Sequence, residues 1–251
     1  MLNLPKLIGH RGVKNLSPEN TIDSIILAKK LGLHWIEIDV KISKDLIPII
    51  FHDDTLERTT NGKGFPVDYL YKDLKKLDAG SFFYKQVTKI YIPTFEEVLL
   101  LCEKKNISLN IELKPNKGYE KENVLSIAKI LNNSKFSNQY YFSSFDLNSL
   151  IMMKEIFPNA NYGLLIHEFK EDSTLSDIKM VVKKYNFFCC GFNKDIINSK
   201  IIDEISENNL IITVYSKINV SVNEANALWS KGVKSIFIDD PTEFKFIRYL
   251  N

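Results

Sequence analysis

Cysteine is scarce in this chain, three in 251 residues, and two of the three, Cys189 and Cys190, are neighbours. Adjacent residues on a strand face opposite ways, so the cysteines are no disulfide framework of the kind that holds small secreted domains together. Buried thiols in a reducing compartment are the expectation. Neither sign of charge dominates: Lys and Arg number 33 against 31 Asp and Glu, a net charge of +2. Without a basic run or an aromatic–basic stripe, nothing supports a nucleic-acid surface. No apolar run approaches the roughly 18 residues of a membrane span, and no amphipathic membrane-surface helix is evident. Met1-Leu2-Asn3-Leu4-Pro5-Lys6 runs straight into the first strand without the apolar core of a signal peptide. A cytoplasmic protein with no stable membrane association is therefore expected. There is no internal repeat and no low-complexity tract. The missing Gly-x-Gly-x-x-Gly turn after the first strand removes the most familiar use of an open α/β sheet.

What is present is enough apolar sequence, 45% hydrophobic with 12% aromatic, to bury a large core. Strand-like and helix-like stretches alternate. Leu7-Ile8-Gly9-His10 reads as a short strand, followed by a helix from about Thr21 to Leu31 with Asn20 as its expected N-cap and Gly32 as its stop. A second strand covers Trp35 to Lys41, and the turn Lys44-Asp45 folds Ile47 to His52 back on it as a hairpin partner. Residues 53 to about 93 break the rhythm, being rich in Thr, Gly, Lys and Asp with one short amphipathic piece near Asp68 to Leu77. They form a small insertion, either a lid or a packed excursion. A helix over 94–105 opens a regular series, with strands near 107–114, 139–144, 161–166, 187–192, 210–215 and 235–239. Helices fill the gaps near 119–132, 146–156, 174–184, 198–208 and 220–230. Eight parallel strand–helix units at this length predict one α/β domain over 1–251, a closed (β/α)8 TIM barrel, with an open doubly wound sheet as the alternative.

In such a barrel, chemistry collects at the C-terminal ends of the strands, and the polar residues of this sequence fall there. On the second strand Ile36, Ile38 and Val40 share one face while Glu37 and Asp39 share the other. Two carboxylates about 5 Å apart repel by about 3 kcal/mol at an effective dielectric near 20, so either one holds a proton or a cation lies between them. The strand Leu109-Asn110-Ile111-Glu112-Leu113-Lys114 repeats the pattern, with Asn110, Glu112 and Lys114 on one face. Inward polar groups are costly unless paired or coordinating. Glu37, Asp39 and Glu112 together suit one hard divalent ion, Mg²⁺ or Ca²⁺, and the lack of a nearby Cys argues against zinc. Arg11 and Lys114 add fixed positive charge, as a phosphate ester requires. His10 and His52 end their strands beside this group and supply an acid and a base. His34 sits at the N-terminal end of its strand and is expected to be structural. His167 ends a strand at the functional face without a motif, Tyr215 is placed to touch a substrate, and Asp239 either orients a ligand or caps the following helix.

Several of these stretches together resemble the glycerophosphodiester phosphodiesterase family: His10-Arg11-Gly12 followed by Pro18-Glu19-Asn20-Thr21, then Glu37-Ile38-Asp39-Val40, His52-Asp53-Asp54-Thr55-Leu56-Glu57-Arg58-Thr59-Thr60-Asn61-Gly62 and Ile111-Glu112-Leu113-Lys114. Ser143-Ser144-Phe145-Asp146 and Asp239-Asp240-Pro241 extend the resemblance to nearly the whole chain. It implies a (β/α)8 barrel with an insertion after the hairpin, a divalent metal on Glu37, Asp39 and Glu112, and an acid/base pair in His10 and His52. Arg11 and Lys114 would contact the phosphate of a small-molecule glycerophosphodiester, and the products would be glycerol 3-phosphate and an alcohol. The sequence departs from the family at Ile212-Thr213-Val214-Tyr215, where Trp-Thr-Val-Asn is usual, so the shape of the pocket differs. Two other readings keep the barrel. A lysophospholipase D or sphingomyelinase D type phosphodiesterase requires an apolar groove for acyl chains, and a non-catalytic phosphate-binding barrel has no use for a proton-transfer pair.

Overall fold

A computed structural model describes residues 2–169, 174–207 and 210–244. Among these, nine strands follow in chain order: β1 (Leu7–Gly9), β2 (Trp35–Ile42), β3 (Pro48–Ile50), β4 (Ser108–Leu113), β5 (Tyr140–Ser144), β6 (Tyr162–Ile166), β7 (Cys189–Asn193), β8 (Ile211–Tyr215) and β9 (Ser235–Ile238). The helices are α1 (Ile22–Lys30), α2 (Tyr71–Leu74), α3 (Ser81–Tyr84), α4 (Phe95–Lys105), α5 (Glu120–Asn133), α6 (Leu147–Ile156), α7 (Leu175–Lys184), α8 (Ser199–Ser206) and α9 (Val222–Ser230).

Every strand except β3 joins one parallel ring, and the ring closes because β1 pairs with β9 on one side, Leu7 opposite Ile236, and with β2 on the other, Gly9 opposite Ile36. This is the (β/α)8 barrel that the alternation predicts, not the open sheet. β3 lies outside the ring, antiparallel to β2 with Val40 opposite Ile50, as the hairpin predicts. A helix after β9 would lie beyond Phe244, and the expected end of α8 at Asn208 also falls outside the described residues. No helix among the described residues is long and apolar enough to cross a membrane.

The period-2 alternation of β2 decides where its side chains go. Ile36, Ile38 and Val40 face outward into the layer between barrel and helices, where Ile111, Leu113, Phe142 and Val214 also pack. The other face of β2 points into the barrel. Trp35 joins Leu4, Ile8, Tyr141, Cys189 and Phe237 in an apolar plug, and Glu37, Asp39 and Lys41 follow above it, all buried. Lys41 escapes an unpaired burial by reaching Asp54 at 3.0 Å. The three cysteines are buried free thiols.

Helix starts follow local capping chemistry: Thr94 with Glu97, Thr174 with Asp177 and Ser221 with Glu224 form reciprocal capping boxes. α1 differs from expectation. Thr21, not Asn20, is its N-cap, accepting from the Ser24 N–H at 3.2 Å. Asn20 instead adopts φ +58, a left-handed conformation that Asn tolerates far better than β-branched Thr. The excursion after the hairpin holds a 3₁₀ turn at Pro66–Asp68, then α2 and α3. It packs on its own small core of Ile49, Phe51, Leu56, Leu74, Ala79 and Ile92.

Candidate active site

The site begins where β1 ends. Arg11 takes φ +52 and Gly12 φ +84, and a Cβ on Gly12 would run into both the side chain and the backbone of Ser24. A left-handed arginine costs of order 1 kcal/mol or more, and here it turns the Arg11 N–H onto Glu37 Oε2 at 2.9 Å. Asn20, the other left-handed residue of this loop, donates from its amide to Asp39 Oδ2 at 2.8 Å.

Glu37, Asp39 and Glu112 converge: one carboxylate oxygen of each lies within 4.8 Å of the others, and all three are buried. The register that pairs Asp39 with Glu112 across β2 and β4 sets this up. Their surroundings differ. Burial alone would push the Asp39 carboxyl up, but Lys114, His52 and Arg11 hold it well below the usual carboxylate range. Lys114 Nζ stands 3.1 Å from Asp39 Oδ1 and 2.8 Å from Glu112 Oε1, and Arg11 Nε is 3.4 Å from Asp39 Oδ2. For Glu37 only Arg11 compensates, through its charge and its N–H, and it is outweighed. Burial, then the charges of Asp39 and Glu112, push its carboxyl well above the ordinary value. Its Oε1 is buried without a hydrogen-bond partner among the described residues. A buried acceptor without a donor is what a bound cation satisfies, and an all-oxygen set of three carboxylates fits a hard divalent ion.

Both histidines are oriented by carboxylates. His10 Nδ1 lies 2.7 Å from Asp239 Oδ1, and its Nε2 is 4.0 Å from Glu37 Oε2. Burial lowers the His10 pKa to about 4, against the opposing pull of Asp239. His52 Nδ1 lies 2.6 Å from Asp53 Oδ1. Arg58 then ties the two histidine segments together. It grips the Asp53 carboxylate and donates to both oxygens of Glu19 at 2.8 and 2.7 Å. Glu19 in turn accepts from Arg11 at 2.7 Å.

These groups open onto a cavity of about 500 Å³, lined on one side by His10, Arg11, Glu37, His52, Glu112 and Lys114 and on the other by Phe145, His167 and Tyr215. Residues 10–243 match the glycerophosphoryl diester phosphodiesterase family. The chain belongs to this family.

Among its relatives, a glycerophosphodiester phosphodiesterase of Bacillus altitudinis is 31% identical over 251 residues, covering 98% of each chain. One of Bacillus subtilis is 30% identical over 254 residues, covering 96% of this chain and 85% of the relative. A solved structure of an Oleispira antarctica phosphodiesterase, in complex with the product sn-glycerol-3-phosphate, superposes with a TM-score of 0.89 at 29% identity over 97% of this chain and 96% of that one.

The structure brings together every residue that sequence singled out for the site: His10, Arg11, Glu37, His52, Glu112, Lys114 and Tyr215 line the cavity, with Asp39 directly behind. Sequence reasoning left several neighbours unplaced. Sequence leaves Asp239 open between a ligand and a helix cap, and in the fold it holds His10. Asp53, adjacent to His52 in the family motif, carried a signal that alternation could not interpret. Lys14, 3.3 Å from Asp239 Oδ2, carried none.

Proposed function

We propose that this chain hydrolyses glycerophosphodiesters to sn-glycerol 3-phosphate and an alcohol, with His10 and His52 as the proton-transfer pair. One observation carries the proposal: two imidazoles, each with Nδ1 held by a carboxylate, converge on a cavity lined also by Glu37, Glu112, Arg11 and Lys114, with Asp39 behind them. The family and the product bound to the Oleispira relative support the substrate class.

A buried neutral imidazole accepts a proton rather than giving one. With Nδ1 bonded to Asp239, His10 presents Nε2 to the cavity and deprotonates the attacking hydroxyl, either water or a hydroxyl of the substrate. His52, oriented by Asp53, protonates the leaving alcohol. Arg11 and Lys114 neutralise charge on the phosphate oxygens as it develops. Glu37, Asp39 and Glu112 would hold one divalent ion, Mg²⁺ or Ca²⁺, which supplies positive charge against those same oxygens.

The test is release of glycerol 3-phosphate from glycerophosphoglycerol and from glycerophosphocholine before and after chelation, with each divalent ion restored in turn. Expected is turnover that chelation abolishes and one ion restores. Absence of turnover of both diesters with every ion would overturn the proposal. Acylated glycerophosphocholine in the same assay separates this reading from a lysophospholipase D.

A further inference from the structure

The cavity wall facing the carboxylates is aromatic. Phe145 meets Tyr215 edge-on at 5.6 Å between centroids, and the His167 ring stacks on Tyr215 at 6.3 Å with an interplanar angle of 20°. The hydrogen bonds of this wall fix the direction of one of its groups. Tyr215 Oη lies 3.1 Å from the Ile166 carbonyl oxygen and 3.2 Å from His167 Nδ1. A carbonyl oxygen has no hydrogen, so the tyrosine must donate to it, and that spends its single proton. The contact to His167 is then a bond only if Nδ1 carries the hydrogen and the tyrosine oxygen accepts. The Asn193 amide nitrogen lies 3.5 Å from the same nitrogen, at the outer limit of a bond, and the shorter tyrosine contact decides the tautomer. In the neutral ring this leaves Nε2 as the acceptor atom of a residue that lines the cavity.

An acceptor set among ring faces fits an uncharged hydroxylated carbon chain. It does not fit a quaternary ammonium group. The Phe145 face is already covered by the Lys114 ammonium at 5.6 Å, and Lys217 lines the same cavity. These cations oppose the cation–π capture that such a head group requires. We propose that His167 is a substrate-binding residue whose Nε2 accepts a hydrogen bond from a hydroxyl of the polyol part of the diester. The inference rests on the phosphodiesterase reading and names the chemistry of that site's far wall. The hydroxyl comes either from the retained glycerol or from the leaving alcohol.

Two matched pairs test it in wild type, His167→Phe and His167→Gln, the last supplying an amide oxygen as acceptor. Turnover of glycerophosphoglycerol against glycerophosphopropanol probes the leaving alcohol. Inhibition by sn-glycerol 3-phosphate against propyl phosphate probes the retained glycerol. Each preference is a ratio within one enzyme, so differences in folded fraction cancel. Expected is a preference for the hydroxylated compound on at least one pair that falls about 5-fold in His167→Phe, the worth of one neutral hydrogen bond, and returns in His167→Gln. A preference retained in full by His167→Phe, or absent from wild type on both pairs, overturns the role of His167 alone. Failure of wild type to release glycerol 3-phosphate from either diester overturns the underlying reading and the inference with it.

Discussion

His10 Nδ1 and Asp239 Oδ1 lie 2.7 Å apart, joining the first strand of the barrel to the end of the last across 229 residues. The bond holds the imidazole in one tautomer and one orientation. Asp239→Asn is therefore expected to lower kcat about 10–100-fold, the usual cost of removing a partner that orients a functional imidazole, with KM much less affected. Steady-state kinetics on glycerophosphoglycerol would check this, and an unchanged kcat would refute it.

The same histidine makes stability depend on pH. Its folded-state pKa lies near 4 against an ordinary 6.5, chiefly through burial. Between those values the unfolded chain binds more protons than the folded one, so stability falls as pH drops through the window. The loss reaches about 3 kcal/mol at its lower end. Denaturant titrations of chelator-treated wild type and His10→Gln should differ in this respect: the variant loses less stability between pH 7 and pH 4. Equal losses would contradict the buried, neutral assignment.

Glu19 joins Arg11 and Arg58, and burial fails to raise its pKa because Arg58 and Arg11 bring it down to about 2. A depressed carboxylate stabilises the fold above its unfolded value and loses that contribution as pH falls toward 2. Glu19→Gln should cost about 2 kcal/mol near neutral pH and loosen both histidine segments, lowering kcat. A variant with unaltered denaturation midpoint and kcat would show that the clamp does neither.

His10→Ala and His52→Ala are each expected to cost on the order of 10²–10⁴ in kcat/KM while keeping a cooperative unfolding transition. A variant with near-normal turnover would remove that histidine from proton transfer.

Much of this was legible from β2 and β4 because side-chain alternation is a local property. Once Glu37 and Asp39 share a face in sequence, any barrel that buries Ile36, Ile38 and Val40 against its helices must turn the acids inward. Sequence does not separate Asn20 from Thr21 as the cap of α1, because both are good N-caps, and the left-handed backbone at Asn20, which decides between them, occurs in the folded loop where its amide meets Asp39. Asp239 cannot be assigned to His10, nor Lys14 to Asp239, from sequence at all, since these pairings exist only once β1 and β9 close the ring. The His167–Tyr215 contact is of the same kind: two strand ends 48 residues apart, brought together only by the closed barrel.

Glu37 carries the central claim. Its raised pKa and unpartnered Oε1 predict that Glu37→Gln stabilises the chelator-treated protein by about 1–3 kcal/mol, through loss of carboxylate repulsion, while abolishing stabilisation by added Mg²⁺ or Ca²⁺. Thermal unfolding with and without each ion would reveal both effects. A variant less stable than wild type under chelation would count against the repulsion.

The most direct measurement is an anomalous difference map from crystals soaked in Mn²⁺ after chelation. The account predicts one strong peak between Glu37, Asp39 and Glu112, at about 2.0–2.6 Å from an oxygen of each, as hard divalent ions bind carboxylates. A peak elsewhere, or none in crystals of protein whose activity Mn²⁺ restores, would contradict it.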